Sequence, residues 1–430
     1  MNTPICDFVA DYIRKNPLRL HMPGHKGNGS LESMDITEID GADSLYQAGG
    51  IIAQSEANAS RLFGCPTLYS TEGSSQCIRA MLYLCRLRGK KIAAFRNAHK
   101  TFLTGAALLD LDMIWLYPKE ETSYLSCLIS PAELEETLSQ MEEKPVAVYV
   151  TSPDYLGNMA DIQGLSEVCH RHGCLLVVDN AHGAYLRFLP ESLHPMDLGA
   201  DMCCDSAHKT LPVLTGGAYL HLKGEFLPYG KTALSLFGST SPSYLILQSL
   251  DRANPLLERD FPHQLGEFLP KLAQAKEVLT QKGYFLVGNE PMKLTVSAKP
   301  YGYSGTELSQ ELEKRGIVSE FADPDMLVLM PTPDTDLDTL TSALLSIPKR
   351  QPILEKPPAF HKPKRICTPR EALLSQSERL PIGACIGKIA ASPAVGCPPA
   401  VPIVVSGEEI DETAANAFVY YGIETCPVVK

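Results

Sequence analysis

Short apolar runs alternate with amphipathic stretches through the middle of the chain. Val146–Thr151 and Cys174–Asp179 are apolar runs rich in β-branched residues, and Asp161–His172 between them has the spacing of a helix that Gly173 ends. Strand, helix and strand at this spacing predict parallel βαβ units whose sheet is covered by helices on both faces. We therefore expect an α/β domain whose ligand lies beyond the carboxyl ends of the strands.

The same pattern predicts elements on both sides of this unit. Helices are expected at Pro4–Lys15, Ser55–Phe63, Ser75–Arg88, Phe261–Gln281 and Gly305–Arg315. Strands are expected at Lys91–Phe95, Ala200–Cys204, Gly217–Leu222, Phe285–Val287, Leu294–Val296, Met326–Leu329 and Ile403–Val405. The resulting division is an N-terminal arm (1–50), a large domain (51–257), a small α+β domain (258–348), a proline- and lysine-rich linker (349–365) and a C-terminal subdomain (366–430).

Composition limits the classes of function. The chain has 430 residues, 44% of them hydrophobic, and a net charge of −12, with no basic stretch able to follow a nucleic-acid backbone. Its 13 cysteines form no C-x-x-C pair, which predicts buried thiols in a reducing compartment and no metal site. No apolar signal core or membrane-spanning run occurs. We therefore expect a cytoplasmic protein that binds neither nucleic acid nor membrane.

Two residues about thirty positions apart suggest the chemistry. Lys209 follows the apolar run Met202–Cys204, and Asp179 directly follows Leu175–Val178. A pyridoxal phosphate (PLP) cofactor needs a lysine amine for its Schiff base and a carboxylate that keeps its pyridine nitrogen protonated. The alternatives are a surface lysine on a loop and an aspartate that caps a helix.

Hydroxyl and imidazole side chains near these positions extend the candidate site. Thr71–Ser75 places glycine and hydroxyls before a helix, which is a pattern suited to phosphate, although Ser74 or Ser75 could simply cap that helix. His99 could lie flat on a cofactor ring, or it could be a hydrogen-bonded residue at a strand end.

Together these segments resemble the prokaryotic Orn/Lys/Arg decarboxylase family, in a short form without an N-terminal wing domain. The similarity covers residues ~20–255 in order. The matching segments are Leu20–Gly27, Asp35–Glu38 with Gly41, Glu72–Ser75, Arg96–Thr101, Thr151–Gly157, Asp179–Ala184, Asp205–Thr215, Ser239–Tyr244 and Ser249–Asp251. The resemblance implies the fold-type I (aspartate aminotransferase-like) architecture, with a mostly parallel seven-stranded sheet in a PLP-binding large domain and a smaller C-terminal α+β part.

The resemblance also implies roles around the cofactor ring. Lys209 would hold PLP as a Schiff base and Asp179 would pair with the ring nitrogen. His99 would stack on the ring and His182 would pack near it. Either Lys209 or His208 would return a proton to Cα after CO₂ is lost.

Further residues would hold the cofactor's phosphate. From the same chain these are Ser74, Ser75, Ser206 and His208. Thr240 and Ser241 would reach the phosphate bound by a neighbouring subunit, so that the minimal unit is a homodimer with active sites at the subunit interface.

The C-terminal part departs from the family pattern near the expected position of the substrate side chain. Two acids and an arginine of the family segment are replaced here by Ala384, Ser392 and Lys388, and 396–402 lacks the family's tyrosine and glycine. Glu408 and Glu409 are left as possible acidic contacts to a cationic substrate.

Three hypotheses follow. The first is PLP-dependent decarboxylation of lysine, ornithine or arginine to a polyamine-type amine and CO₂. The second is a PLP enzyme on the same scaffold that acts on a different amino acid or by transamination or oxidation. The third is a non-catalytic PLP-binding protein.

Overall fold

A sheet of seven strands organises the first 260 residues of the computed structural model, which describes residues 1–119, 124, 126–392, 394–395 and 401–430. The strands are β1 (Thr67–Ser70), β2 (Lys91–Phe95), β3 (Asp112–Leu116), β4 (Ala147–Thr151), β5 (Leu175–Asp179), β6 (Met202–Asp205) and β7 (Ala218–Leu222). Their order is β1-β7-β6-β5-β4-β2-β3, and only β7 runs against its neighbours. The predicted fold class, a mostly parallel seven-stranded sheet, is confirmed.

Within the described residues, ten helices accompany this sheet. They are α1 (Pro4–Lys15), α2 (Ile51–Phe63), α3 (Gly73–Arg86), α4 (Lys100–Leu108), α5 (Pro131–Gln140), α6 (Ile162–Arg171), α7 (Ala207–Thr210), α8 (Leu227–Ser235), α9 (Tyr244–Arg259) and α10 (Phe261–Lys282). The five residues of β5 are all buried, as expected of a strand covered on both faces. None of the helices described is long and apolar enough to cross a membrane.

Helix starts are the main difference between prediction and structure here. Helix α1 has its predicted bounds, but α2 begins at Ile51, four residues before the predicted start. Helix α3 begins at Gly73, with Glu72 at its N-cap, so Ser74 and Ser75 lie inside the first turn rather than before it. The expectation that Ser74 or Ser75 could cap this helix is therefore wrong.

A second, antiparallel sheet follows α10. Its strands are β8 (Phe285–Val287), β9 (Leu294–Ser297), β10 (Phe321–Ala322) and β11 (Met326–Leu329), in the order β10-β11-β9-β8, with helices α11 (Gly305–Glu313) and α12 (Leu337–Ser346). The strands predicted at 285–287 and 326–329 have these bounds. Leu294 and Leu327 of this sheet share one apolar core with Leu265 of α10, which fixes the sheet beside the large one.

The C-terminal region forms short antiparallel pairs. Its elements are α13 (Pro369–Leu374), β12 (Ser377–Pro381), β13 (Lys388–Ile389), β14 (Ala394–Val395), β15 (Val404–Val405), β16 (Glu409–Ile410), α14 (Glu412–Tyr420) and β17 (Thr425–Val429). Val404 and Phe418 pack in one core with Val148 and Leu176 of the large sheet. The C-terminal region therefore covers part of one face of that sheet.

Candidate active site

A cavity of about 490 Å³ lies at the carboxyl ends of the parallel strands. Among the described residues it is lined from strand ends by Thr151, Asp179, Ser206, His208 and Lys209, and from helix starts by Gly73, Ser74, Ser75, His99 and Lys100. Open α/β sheets place ligands at this edge. Eight of the ten residues that the sequence analysis named for the cofactor thus border one cavity.

Lys209 and Asp179 are brought together by neighbouring strands. Asp179 is the last residue of β5 and is paired with Cys204 of β6, while Lys209 lies in α7, the single turn that follows β6. The Asp179 carboxylate is 2% exposed; Oδ2 accepts a hydrogen bond from Tyr149 Oη at 3.0 Å, and Oδ1 accepts one from the Ala181 backbone N–H at 3.2 Å. These bonds fix a buried carboxylate in the lining of the cavity.

Tyr149 acts as a permanent donor to this carboxylate. Burial and the charge of Asp179 raise the pKa of the Tyr149 phenol well above its usual range. The phenol therefore stays protonated at neutral pH and keeps a hydrogen to donate to Asp179. Tyr149 was not predicted from the sequence, because a tyrosine inside an apolar strand is usually a core residue.

His99 stands where α4 begins. It is the N-cap of that helix, and Nδ1 accepts a hydrogen bond from the Thr101 backbone N–H at 3.3 Å. The ring is open to the cavity, yet the surrounding protein removes enough bulk water to lower the pKa of His99. A neutral ring with an open face is suited to lying against a flat cofactor.

The hydroxyl groups cluster at the start of α3. Ser206 Oγ lies 2.7 Å from Ser74 Oγ, and Ser75 Oγ lies 3.2 Å from Thr101 Oγ1. Ser74 and Ser75 occupy the first turn of a fourteen-residue helix, where backbone N–H groups lack helical partners. This arrangement of hydroxyls and a helix N-terminus is suited to a phosphate.

His182 lies between two lysines. Its Nε2 is 3.2 Å from Lys209 Nζ, and its Nδ1 is 3.4 Å from Lys293 Nζ. Burial, followed by the charges of both lysines, lowers the pKa of His182 well below its usual value. Lys293 was missed by the sequence analysis, and its only local signal is a lysine placed directly before an apolar strand.

His208 also borders the cavity. Its Nδ1 lies 3.0 Å from the carbonyl oxygen of Gly217, so that this nitrogen carries a hydrogen and donates it. Nε2 is then the nitrogen left to face a ligand. This geometry agrees with either expectation for His208, phosphate contact or proton transfer.

A buried hydrogen-bond network holds Asp205, the last residue of β6. Asp205 Oδ2 accepts hydrogen bonds from His194 Nε2 at 3.1 Å and His221 Nε2 at 3.0 Å, while Oδ1 accepts one from Asn180 Nδ2 at 2.7 Å. Burial alone would raise the pKa of Asp205, but the two histidines hold it well below its usual range. Asp205, His194 and His221 are also the group of described residues close enough to share a metal ion. Their hydrogen bonds satisfy one another, and the absence of a metal site stays a prediction.

Thr240 and Ser241 are the two residues predicted for the cofactor that do not border this cavity. They are exposed in the segment between α8 and α9. That position is compatible with the role implied for them, which is contact with a neighbouring subunit's site.

Family comparisons agree with this geometry. The model of the Orn/Lys/Arg decarboxylase major domain matches residues 3–282, and the model of the family's C-terminal domain matches residues 356–424. The chain belongs to the Orn/Lys/Arg decarboxylase family. It is therefore a PLP-dependent decarboxylase of a basic amino acid, and the predicted family, cofactor and reaction class are confirmed.

Individual relatives cover nearly the whole chain. The arginine decarboxylase of Bacillus subtilis (strain 168) is 29% identical over 454 residues, covering 95% of this chain and 91% of that protein. The arginine decarboxylase of Halalkalibacterium halodurans is 28% identical, covering 96% of this chain and 91% of that protein. The solved structure of the E. coli constitutive lysine decarboxylase superposes with a TM-score of 0.78 at 18% identity, covering 100% of this chain and 82% of that one. The lysine decarboxylase of Francisella novicida superposes with a TM-score of 0.82 at 16% identity, covering 100% and 81%.

The residues present fit the family's cofactor. An amine, a buried carboxylate, an open imidazole face and a hydroxyl cluster at a helix N-terminus correspond to the Schiff-base, ring and phosphate parts of PLP. All border a single cavity of the size that small-molecule sites usually have.

The C-terminal part corrects one expectation. Both carboxylate oxygens of Glu408 accept hydrogen bonds from Arg96, each at 2.7 Å, and the two side chains are buried. The proposal that Glu408 contacts a cationic substrate is therefore wrong, because its charge is neutralised inside the protein. Glu409 does not border the cavity either.

The replaced family residues lie away from this cavity. Ala384 and Lys388 are exposed, Ser392 is half-buried, and none of them is among its described lining residues. The C-terminal region contributes Pro402 to the lining. The departures at 396–400 lie outside the described residues.

Proposed function

We propose that this chain decarboxylates a basic amino acid with PLP attached to Lys209. The observation that carries the proposal is the meeting of Lys209 and Asp179, from adjacent strand ends, in the cavity that His99 and the hydroxyl cluster also border. When bound, PLP supplies a positively charged ring that takes up the electrons left behind when a carboxylate departs as CO₂.

The residues of the chain divide the remaining tasks. Asp179 would pair with the ring nitrogen and keep it protonated, since its carboxylate is buried and held in place by Tyr149. His99 would stack on one face of the cofactor ring. Lys209 or His208 returns a proton to Cα, because both side chains border the cavity. Ser74, Ser75, Ser206 and His208 hold the phosphate.

Arginine is the first substrate to test among the family's three amino acids. Two relatives named arginine decarboxylase each match 95% or more of this chain. The product of arginine, lysine or ornithine would be an amine of the polyamine type, so we place the enzyme in polyamine biosynthesis. Twelve described cysteines are free thiols, which supports a location in the reducing cytoplasm.

A second copy of the chain completes our proposal. Leu18, Leu20 and Met22 on the N-terminal arm are 85%, 84% and 67% exposed. Exposed apolar side chains at every second position of one short segment are typical of a surface that another protein covers. We propose that this arm helps form a homodimer in which Thr240 and Ser241 reach the partner's cofactor phosphate.

The test is CO₂ release by the PLP-loaded protein with arginine, lysine and ornithine, followed by the other standard amino acids. We expect release with one of the three basic substrates and none with neutral or acidic ones. Absence of release from all three, with the visible absorbance of bound PLP present, would overturn the proposed substrate class and leave the cofactor assignment standing.

A further inference from the structure

A side-chain hydrogen bond connects the chain just after β5 to the end of β6. Asn180 Nδ2 donates to Asp205 Oδ1 at 2.7 Å, and both residues are completely buried. The backbone N–H of Asn180 also donates to the carbonyl oxygen of Cys204, at 3.0 Å. The backbone bond continues the pairing of the two strands, whereas the side-chain bond extends their connection to Asp205, the last residue of β6.

The two bonded residues lie next to the two that would hold the cofactor ring. Asn180 directly follows Asp179, and Asp205 lies four residues before Lys209. In PLP the aldehyde carbon and the ring nitrogen are on opposite sides of a flat, rigid ring, so their separation cannot adjust. A cofactor that is bonded to Lys209 and paired with Asp179 therefore requires one particular separation of the two segments.

Two histidines fix Asp205 through its other carboxylate oxygen. His194 Nδ1 accepts the Met196 backbone N–H at 3.4 Å, so its ring hydrogen is on Nε2, 3.1 Å from Asp205 Oδ2. His221 Nε2 lies 3.0 Å from the same oxygen. Burial raises the pKa of Asp205, but the two histidines outweigh it and hold this pKa well below its usual range. At neutral pH the carboxylate therefore only accepts hydrogen bonds, and its orientation toward Asn180 is fixed.

The amide of Asn180 has a second polar atom that is not used. Its Nδ2 must face Asp205, because only the nitrogen can donate to a carboxylate. Its Oδ1 is buried and has no hydrogen-bond partner among the described residues. Gly183 leaves room for this oxygen, since a Cβ at that position would lie 2.0 Å from it. The amide is thus closely packed, and its one side-chain bond is the one to Asp205.

We propose that Asn180 and Asp205 are positioning residues whose hydrogen bond sets the separation of Asp179 and Lys209 that PLP requires. The inference rests on the proposed attachment of PLP to Lys209 and its pairing with Asp179. Among the described residues, neither Asn180 nor Asp205 lines the cavity. Their effect on the cofactor therefore passes through the residues beside them in the chain.

The experiment measures the binding of two ligands by the full-length, cofactor-free protein. PLP engages both Asp179 and Lys209, while pyridoxine 5′-phosphate has an alcohol in place of the aldehyde and cannot bond to the lysine. Absorbance titration gives the dissociation constant of PLP, and calorimetry gives that of pyridoxine 5′-phosphate. For Asn180→Ala we expect the dissociation constant to rise about tenfold for PLP and less than about threefold for the alcohol. An equal rise for both ligands, or no rise for PLP, would overturn the proposal.

A matched control is available in Asn254→Ala. Asn254 is also completely buried, its Nδ2 donates to Tyr69 Oη at 2.9 Å, and its Oδ1 has no partner in the described part of the chain. It does not line the cavity. Its removal should lower stability and leave the dissociation constant of PLP within about twofold of the wild-type value. A rise as large as that in Asn180→Ala would assign the effect to general loosening and contradict the proposal.

Exchanging the donor and the acceptor tests the same bond with little change in volume. Asn180→Asp sets two carboxylates against each other, so we expect PLP to bind more weakly than in Asn180→Ala. Asp205→Asn alone should raise the dissociation constant by less than about threefold, because the Asn180 amide can turn and accept with Oδ1. Combining the two substitutions restores one donor and one acceptor, and we expect a value within about threefold of the wild type. A double variant that binds PLP as weakly as Asn180→Asp would refute the positioning role.

These measurements need no substrate, so their outcome is separate from whether a basic amino acid releases CO₂. A wild-type protein that shows no visible band with PLP would overturn the attachment to Lys209 and this inference with it. A normal wild-type band with unchanged binding in Asn180→Ala would overturn the inference alone.

Discussion

Two groups of residues border the cavity, and they are built in different ways. The strand-end group, Asp179, Ser206, His208 and Lys209, lies on or within four residues of the ends of β5 and β6. The cross-region group, Tyr155, Phe321 and Pro402 with Lys293 behind them, comes from a loop, the second sheet and the C-terminal region. The first group is placed by local chain order, and the second exists only once three regions have packed together.

The two groups also differ in chemistry. The strand-end group carries a fixed charge, because Tyr149 and the Ala181 N–H hold the Asp179 carboxylate. In the cross-region group, the rings of Phe321 and Tyr155 meet edge to face at 5.3 Å, and Tyr155 meets His182 in the same way at 5.3 Å. The difference suggests that the strand-end group performs the reaction, while the cross-region group shapes the space that the substrate enters.

Lys209→Ala is the strongest test of this division. Without the amine no Schiff base forms, so we expect the visible absorbance of bound PLP to disappear and CO₂ release to fall by about 10³-fold or more. Absorbance titration with PLP and a CO₂ assay measure the two effects. Lys271→Ala, at an exposed position, should change neither. A visible band that survives unchanged would show that another lysine holds the cofactor.

Asp179→Asn tests the fixed charge with little change in shape. The amide cannot keep a ring nitrogen protonated, and we expect kcat to fall by about 10²–10³-fold while PLP still binds. Steady-state kinetics on the PLP-loaded variant gives the value, and exposed Asp338→Asn is the matched control. A loss of less than about fivefold would mean that the carboxylate serves the fold rather than the ring.

The strand-end group could be predicted because its signals are local. Asp179 directly follows a buried run, Lys209 follows another, and parallel strands bring both ends to one edge. The resemblance to the Orn/Lys/Arg decarboxylase family, whose motifs occur here in the same order, then implied the roles of His99 and the serines. Lys293 had no such signal, since its partners Asp154, Tyr155 and His182 lie more than a hundred residues away in the chain.

The C-terminal region also contains contacts that could not be predicted from the sequence. The sequence suggested that Glu408 is an unpaired acid near the substrate. Whether an acidic side chain is unpaired depends on its neighbours in the fold, which the sequence does not show. Arg96, which follows β2, takes both oxygens of Glu408 across 312 positions of chain. Short strands of two residues, such as β13 and β16, likewise carry too little periodicity to predict.

Breaking the Arg96–Glu408 pair should loosen the cross-region group. Arg96→Met leaves the Glu408 carboxylate buried without a partner, and we expect a loss of about 3–5 kcal/mol in the free energy of unfolding. Denaturant unfolding followed by circular dichroism measures it. Replacing both residues, as Arg96→Met with Glu408→Leu, removes the uncompensated charge and should recover much of the loss. If the double variant were as unstable as the single one, the charge would not be the cause.

The smallest effect is expected at Phe321, whose ring touches Tyr155 across the boundary between the second sheet and the large one. Phe321→Ala removes an edge-to-face contact, a type that contributes about 0.5–1.5 kcal/mol, and we expect kcat/KM to fall by roughly two- to tenfold, mainly through KM. Phe321→Leu keeps most of the apolar volume and should lose less. Steady-state kinetics with the preferred basic amino acid distinguishes the two variants. A drop in kcat as large as that of Asp179→Asn would place Phe321 among the residues that act on the reaction itself and would remove the distinction between the two groups.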